Sequence, residues 1–122
     1  MTNTSLLIST QWLANHLSDP NLIIIDCRFS LADTELGNKE YQESHIPGAF
    51  HLDLNQDLSG PVQKYGGRHP LPDPYQLAQK LATIGVRYQE TLIVAYDDSR
   101  FAFASRLWWL FTYMGHDKVG LV

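Results

Sequence analysis

The side chain best placed for chemistry is Asp97, which directly follows the apolar run at residues 91–96. This run predicts a buried strand, and the amphipathic pattern after it predicts a short loop and then a helix. In α/β proteins a strand end that leads into a helix N-terminus is a common site, because helix N–H groups converge there on an anionic group. The loop at 97–103 contains no Cys, His or Lys. The sequence therefore predicts a site whose usual nucleophile is missing.

Two roles for Asp97 follow from this position. A strand-end Asp can accept a phosphoryl group, but a Mg²⁺-dependent site of that kind needs further carboxylates, and only the adjacent Asp98 is nearby in sequence. Alternatively, Asp97 caps the following helix or pairs with Arg100 or Arg106. We favour this structural role, because Asp is a preferred residue at helix N-termini.

Cys27 is the only cysteine in the chain. The neighbouring Arg28 would lower a thiol pKa, but Cys27 directly follows Leu22–Asp26, an apolar segment typical of a strand covered on both faces. We therefore expect a packed, unreactive thiol. A single cysteine excludes an internal disulfide and is typical of a reducing compartment. No metal site is predicted, because no metal-ligand spacing joins Cys27 to His45, His51 or His116.

Composition bounds the class of protein. The chain has 122 residues, of which 44% are hydrophobic, so it forms one domain with a substantial core. The net charge is −4 and no Lys/Arg block stands out, so nucleic-acid binding is not predicted. The apolar runs are too short to span a membrane, and residues 1–10 do not resemble a secretion signal. We expect a soluble cytoplasmic protein that needs no cofactor.

Strands and helices alternate along the chain. We predict strands at 22–26, 49–52, 91–96 and 118–122, and helices at 10–17, 38–44, 74–84 and 102–114. This alternation is typical of βαβ units and a mostly parallel sheet. Residues 53–73 are rich in Gly, Pro, Asp and Asn and are predicted to be a long surface loop, a feature that often carries function or lines an interface. The chain stops in the last predicted strand with no helix to cover it, so we expect a domain truncated at its C-terminal end.

Five motifs in this order resemble those of rhodanese domains. They are Asp26-Cys27-Arg28, His45-Ile46-Pro47-Gly48-Ala49, His69-Pro70-Leu71-Pro72, Tyr96-Asp97, and Ala104-Ser105-Arg106-Leu107-Trp108-Trp109. Together they are similar to the N-terminal domain of tandem thiosulfate or 3-mercaptopyruvate sulfurtransferases, over nearly the whole chain. The resemblance implies an α/β, rhodanese-like fold with a central, mostly parallel sheet and helices on both faces.

The resemblance also implies a function for the parent protein. Tandem sulfurtransferases move sulfane sulfur from thiosulfate or 3-mercaptopyruvate to cyanide or a thiol, through a cysteine persulfide in the C-terminal domain. Asp97 occupies the loop position of that cysteine, so residues 1–122 are expected to hold no catalytic residue and to be inactive alone. The expected partners are a second, catalytic rhodanese domain of the same chain and a small anionic sulfur donor. The alternative is a stand-alone, non-catalytic rhodanese-like binding module.

Individual residues also acquire roles by resemblance. His69 is similar to a residue that faces the interdomain cleft, although a plain surface histidine remains an equal alternative. Arg68, beside it, would offer a cation to an anionic substrate. Asp26 and Arg28 are expected to form an ion pair or to hydrogen-bond the turn at 45–49, which contains His45 and Gly48.

The last of these motifs contains Arg106, Trp108 and Trp109. Adjacent helix residues point about 100° apart, so the two tryptophans cannot face the same core. We expect one of them to pack on the sheet and the other to lie on a second surface, where a partner domain would cover it.

Overall fold

The computed structural model describes residues 6–122. Its strands are β1 (Leu22–Asp26), β2 (Phe50–His51), β3 (Leu92–Tyr96) and β4 (Val119–Leu121), and its helices are α1 (Thr10–Asn15), α2 (Leu36–Glu43), α3 (Pro74–Thr83) and α4 (Ala104–Tyr113). All the predicted elements are present, and their ends differ from the predicted ones by at most two residues. No helix within residues 6–122 is long and apolar enough to cross a membrane.

The strands form one parallel sheet in the order β2-β1-β3-β4. β1 and β3 pair along their whole length, so that Asp26 lies opposite Tyr96 at their carboxyl ends. At the far edge of β4, Leu7 forms an isolated parallel bridge with Leu121. The predicted parallel sheet is confirmed. Its two central strands place the Asp26 motif and the Asp97 motif side by side at the carboxyl ends of the strands.

Apolar side chains pack on both faces of the sheet, because successive strand residues point to opposite sides. One face carries the larger cluster, to which the sheet contributes Ile25 and Ile93 and the helices α3 and α4 contribute Leu77, Leu81, Leu107, Leu110 and Phe111. The other face carries Ile24 and Val94, covered by Ile8, Ala49 and Leu13 of α1. Helices therefore cover both faces, as predicted.

Local signals explain where α3 begins and ends. The Asp73 carboxylate accepts a hydrogen bond from the N–H of Tyr75 at 2.9 Å, and Pro74 occupies the first turn, where its missing N–H costs nothing. After the helix, Gly85 adopts a positive φ of 99°, a conformation that favours glycine. The predicted start and stop signals of this helix are confirmed.

The segment between β2 and α3 contains no helix or strand, as predicted, but it is not entirely a surface loop. Leu54 and Leu58 are buried in the larger core cluster. Their burial follows from a turn in which the N–H groups of Asp57 and Leu58 both donate to the Asp53 carbonyl, at 2.9 and 3.0 Å. The first third of the segment is therefore anchored in the core, and only the remainder lies on the surface.

Candidate functional site

The loop between β3 and α4 wraps around the Asp97 carboxylate. One carboxylate oxygen accepts hydrogen bonds from the N–H groups of Ser99 and Phe101, both at 2.9 Å. The other accepts from the N–H groups of Phe103 and Ala104, both at 2.8 Å. The predicted role of Asp97 as a helix cap is confirmed, since Ala104 is the first residue of α4.

The other structural alternative, pairing of Asp97 with Arg100 or Arg106, is not found within residues 6–122. Within residues 6–122 the ion pairs are Asp26–Arg28, Asp57–Lys80 and Glu90–Arg87. The reason lies in the loop, where backbone N–H groups already donate hydrogen bonds to both oxygens of the Asp97 carboxylate. Arg100 and Phe101 adopt positive φ angles of 57° and 68°, which fold the loop back over the carboxylate.

This geometry determines what the loop can do chemically. Four converging N–H groups form a cradle for an anion, and such groups stabilise a thiolate or a persulfide as well as a carboxylate. Here the anion is the Asp97 side chain itself. Within residues 6–122 no group of three or more His, Cys, Asp or Glu side chains is arranged to hold a metal ion. The geometry thus favours a structural carboxylate over a phosphoryl acceptor.

The expected ion pair between Asp26 and Arg28 is present at the end of β1. The Asp26 side chain is fully buried, and the Arg28 Nη2 atom lies 2.7 Å from its Oδ2 atom. The Tyr96 hydroxyl donates to the same oxygen at 3.0 Å. Arg28 also donates to the Ser44 carbonyl at 2.7 Å, and the Ile46 N–H donates to the Tyr96 hydroxyl at 3.2 Å. One network therefore ties the turn at 45–49 to the two central strands.

Within that turn, side-chain contacts hold His45 and a special backbone conformation involves Gly48. The His45 ring stacks on the ring of Tyr41 at 3.9 Å between centroids, and its Nδ1 atom lies 2.7 Å from the Tyr41 carbonyl oxygen. Gly48 adopts a positive φ of 82°, where any other residue type would be strained. Neither residue points to a chemical role beyond shaping the turn.

The Asp26 network perturbs two pKa values. Burial, followed by the negative charge of Asp26, raises the pKa of Tyr96 to about 12. The hydrogen bond to the Asp26 carboxylate raises the pKa of Arg28 above its already high ordinary value. Tyr96 is therefore a neutral hydrogen-bond donor and Arg28 a permanent cation across the physiological range.

Cys27 is packed in the core, as predicted. Its side chain is 1% exposed in the larger core cluster. Burial raises the pKa of the thiol well above its ordinary value, and the nearby charges of Asp26 and Asp97 add to the increase. Since the thiolate is the nucleophilic form, this environment opposes persulfide chemistry at Cys27.

Arg68 and His69, the two cleft candidates, line one cleft of about 680 Å³. The His69 ring contacts the edge of Phe29 at 6.3 Å between centroids, and Phe29 in turn contacts Phe103 of the Asp97 loop at 5.4 Å. Partial burial lowers the pKa of His69, as do the positive charges of Arg68 and Arg106. Sequence analysis did not single out Phe29 or Lys64, which also line the cleft. Neither residue belongs to a recognisable motif, so only the folded loop reveals them.

Comparison with known proteins identifies the family. The sequence matches the rhodanese-like domain over residues 9–122. The chain belongs to the rhodanese family.

Within the rhodanese family, the similar sequences and structures include several 3-mercaptopyruvate sulfurtransferases. The rhodanese domain is 53% identical over 110 residues to the probable 3-mercaptopyruvate sulfurtransferase of Pseudomonas aeruginosa, covering 89% of this chain and 38% of that protein. It is 34% identical to the 3-mercaptopyruvate sulfurtransferase of Escherichia coli, covering 98% of this chain and 42% of that protein. The structure of 3-mercaptopyruvate sulfurtransferase from Leishmania major superposes with a TM-score of 0.85 at 29% identity, covering 96% of this chain and 32% of that one.

The rhodanese domain thus spans about two fifths of the length of these curated relatives. It is homologous to the N-terminal half of 3-mercaptopyruvate sulfurtransferases, as its motifs indicated. The fold prediction is confirmed by the same comparison and by the parallel sheet with helices.

In this rhodanese domain Arg106 and the two tryptophans occupy different surfaces of α4. The Arg106 guanidinium donates to the carbonyls of the long segment before α3. Trp108 is half-buried against the larger core cluster. Trp109 is 44% exposed and stacks on Tyr113 with 5.3 Å between ring centroids. The expected divergence of the two tryptophans is confirmed.

Proposed function

We propose that this rhodanese domain is the non-catalytic N-terminal domain of a sulfurtransferase, in which a second rhodanese domain carries the persulfide-forming cysteine. The observation that supports this most strongly is Asp97, whose carboxylate accepts all four hydrogen bonds of the loop cradle. The resemblance assigns that loop position to the catalytic cysteine. In this proposal the Asp97 carboxylate occupies the place in the loop where a persulfide would otherwise form.

The proposed reaction of the parent protein is the transfer of sulfane sulfur from thiosulfate or 3-mercaptopyruvate to cyanide or a thiol. The names of the similar proteins support this reaction class. Both donors are small anions, and the cleft of this domain carries the cations Lys64 and Arg68 beside His69. We assign this cleft surface to one wall of the donor site.

The domain alone is proposed to be inactive. Its only cysteine is buried and has a raised thiol pKa, and it lies outside the Asp97 loop. A cytoplasmic location is part of the proposal, because a chain with a single thiol is typical of a reducing compartment.

The test compares residues 1–122 with the parent protein in cyanide assays that use thiosulfate or 3-mercaptopyruvate as donor. We expect turnover by the parent only, and no effect of Cys27→Ser on that turnover beyond a change in stability. Arg68→Met in the parent should raise the KM for the donor roughly tenfold, the equivalent of about 1.4 kcal/mol. Arg87→Met, which removes an exposed cation outside the cleft, is the matched control.

Two results would contradict the proposal. One is turnover by residues 1–122 that Cys27→Ser abolishes. The other is a coding sequence that ends shortly after Val122, which would favour the stand-alone binding module. A linker followed by a second rhodanese pattern with a cysteine-containing loop is the expected continuation.

A further inference from the structure

Arg106 closes the loop that forms the cleft wall. Its Nε and Nη2 atoms donate to the Leu58 carbonyl at 3.3 and 3.1 Å. Its Nη2 atom also donates to the carbonyls of His69 and Pro70, at 2.9 and 3.2 Å. One guanidinium therefore binds both ends of the segment 58–70.

The backbone itself is also closed at this point. The Gly60 N–H donates to the Pro70 carbonyl at 2.9 Å. A Cβ atom on Gly60 would lie 2.6 Å from the Leu71 carbonyl oxygen, so the two ends of the loop are in direct contact. The segment is thus an Ω-loop, a compact surface loop whose ends meet. Residues of this loop, including Lys64, Arg68 and His69, line the cleft.

The environment of Arg106 also makes it an electrostatic element of the cleft. Its partners are three neutral carbonyls, and the ion pairs found within residues 6–122 do not include it. Partial burial lowers the pKa of Arg106, but a guanidinium stays charged at any physiological pH. A fixed positive charge therefore lies against the His69 backbone, and no carboxylate of the described part of the chain forms an ion pair with it.

We propose that Arg106 is a positioning residue of the cleft, which fixes both ends of the Ω-loop 58–70 to α4 and so holds Arg68 and His69 where a bound anion would meet them. This inference rests on the proposed function only for the identity of the anion. Because α4 begins at the Asp97 loop, the same helix connects the internal carboxylate with the cleft wall.

The first test measures amide hydrogen exchange and limited proteolysis in the 122-residue chain. Arg106→Met should increase exchange and cleavage within residues 61–68 by about tenfold or more, because the loop loses the side chain that holds its ends. Exchange in β1 and β3 should change much less than in the loop. Arg87→Met is the control, and it should leave exchange in the loop unchanged.

The second test follows the His69 titration by NMR, in which the Met and Lys variants of Arg106 separate loss of the neighbouring charge from loosening of the loop. The charges that face His69 are Arg68 on its own loop and Arg106 on α4, and Lys64 lines the same cleft. Arg106→Met should raise the pKa of His69, since it removes a neighbouring cation. Arg106→Lys keeps the positive charge but lacks the planar guanidinium fork. It should therefore loosen the loop but leave the pKa of His69 closer to its value in the unsubstituted chain.

The outcomes separate this inference from the proposed function. An unchanged His69 titration together with unchanged loop exchange in a folded Arg106→Met chain would overturn the positioning role. If Arg106→Met fails to fold, amide exchange within residues 61–68 is compared between Arg106→Lys and the unsubstituted chain. Equal exchange in the two would then overturn the positioning role. Both readouts are independent of any sulfur transfer, so the inference can survive if the parent protein proves to have another activity.

Discussion

The Tyr96 hydroxyl donates a hydrogen bond to the Asp26 carboxylate at 3.0 Å and thereby joins the carboxyl ends of the two central strands. The same hydroxyl accepts the Ile46 N–H from the turn before β2. Asp26 is fully buried, so the hydrogen bonds from these partners and from Arg28 replace the water that its side chain would otherwise contact. This single phenol therefore holds together three segments that are far apart in sequence.

Tyr96→Phe should destabilise the domain by about 1–3 kcal/mol, because it removes one donor from a buried carboxylate and leaves the Ile46 N–H without its acceptor. The free energy of unfolding in urea measures the loss. Tyr113→Phe is the matched control, since Tyr113 is 64% exposed, and its effect should stay within about 0.5 kcal/mol. Equal losses in the two variants would contradict a role for the Tyr96 hydroxyl.

The pKa of Tyr96 predicts a pH dependence of stability. The folded value is raised to about 12, against about 10 for an ordinary tyrosine, so folding favours the neutral phenol. Its contribution should be fully present below about pH 10 and should be lost as the pH rises from about 10 to 12. Across this pH range, the free energy of unfolding in urea should decline more steeply for the unsubstituted chain than for Tyr96→Phe. A parallel decline would show that Tyr96 ionises normally in the folded domain.

At Gly37 of α2, two opposing effects of an added side chain can be compared: higher helix propensity and a steric clash with the Arg28 carbonyl. Replacing Gly by Ala inside a helix normally stabilises it by about 1 kcal/mol. A Cβ atom on Gly37, however, would lie 2.0 Å from the Arg28 carbonyl oxygen, and backbone cannot move aside as a flexible side chain can. Gly37→Ala should therefore destabilise by roughly 2 kcal/mol or more in thermal or urea unfolding. Asn38→Ala, on the exposed face of the same helix, should be neutral or slightly stabilising.

Local sequence signals predicted most of the fold, because the pattern that marks each helix or strand lies within a few residues of it. Apolar runs predicted the central strands, and Asp73, Pro74 and Gly85 marked the ends of α3. The start of α4 was predicted two residues too early because its cap is distant in sequence. Asp97, six and seven residues before the N–H groups of Phe103 and Ala104, supplies the hydrogen bonds there.

The site was less predictable, since its contacts involve backbone atoms and distant segments. Pairing with Asp97 was one alternative for the motif residue Arg106, but Arg106 binds three carbonyl groups that carry no sequence signature. Similarly, Leu54 and Leu58 looked like loop residues because Gly, Pro and Asp dominate the segment around them. Their burial depends on the turn at Asp53, which becomes visible only when the chain is folded.

The Cys27 thiol should be protected from modification in the folded domain. Its burial and raised pKa predict that labelling by iodoacetamide at pH 8 is at least about 100-fold slower than in urea, because reaction requires opening of the core. Ser18→Cys in a Cys27→Ala background provides an exposed thiol as the control. Fast labelling of Cys27 without denaturant would reverse the assignment of this thiol as unreactive.

The internal anion of the Asp97 loop can be tested by an isosteric change. Asp97→Asn keeps the shape but replaces one acceptor oxygen with an NH₂ group, which would face the N–H groups of one side of the cradle. Two backbone donors would lose their acceptor, so we expect a loss of roughly 3 kcal/mol in urea unfolding and faster amide exchange at residues 99–104. Asp98→Asn is the control: Asp98 is exposed, and its carboxylate makes only a long contact of 3.4 Å with the Ser99 hydroxyl. If both variants are equally stable, the carboxylate does not hold the loop, and the structural role of Asp97 is contradicted.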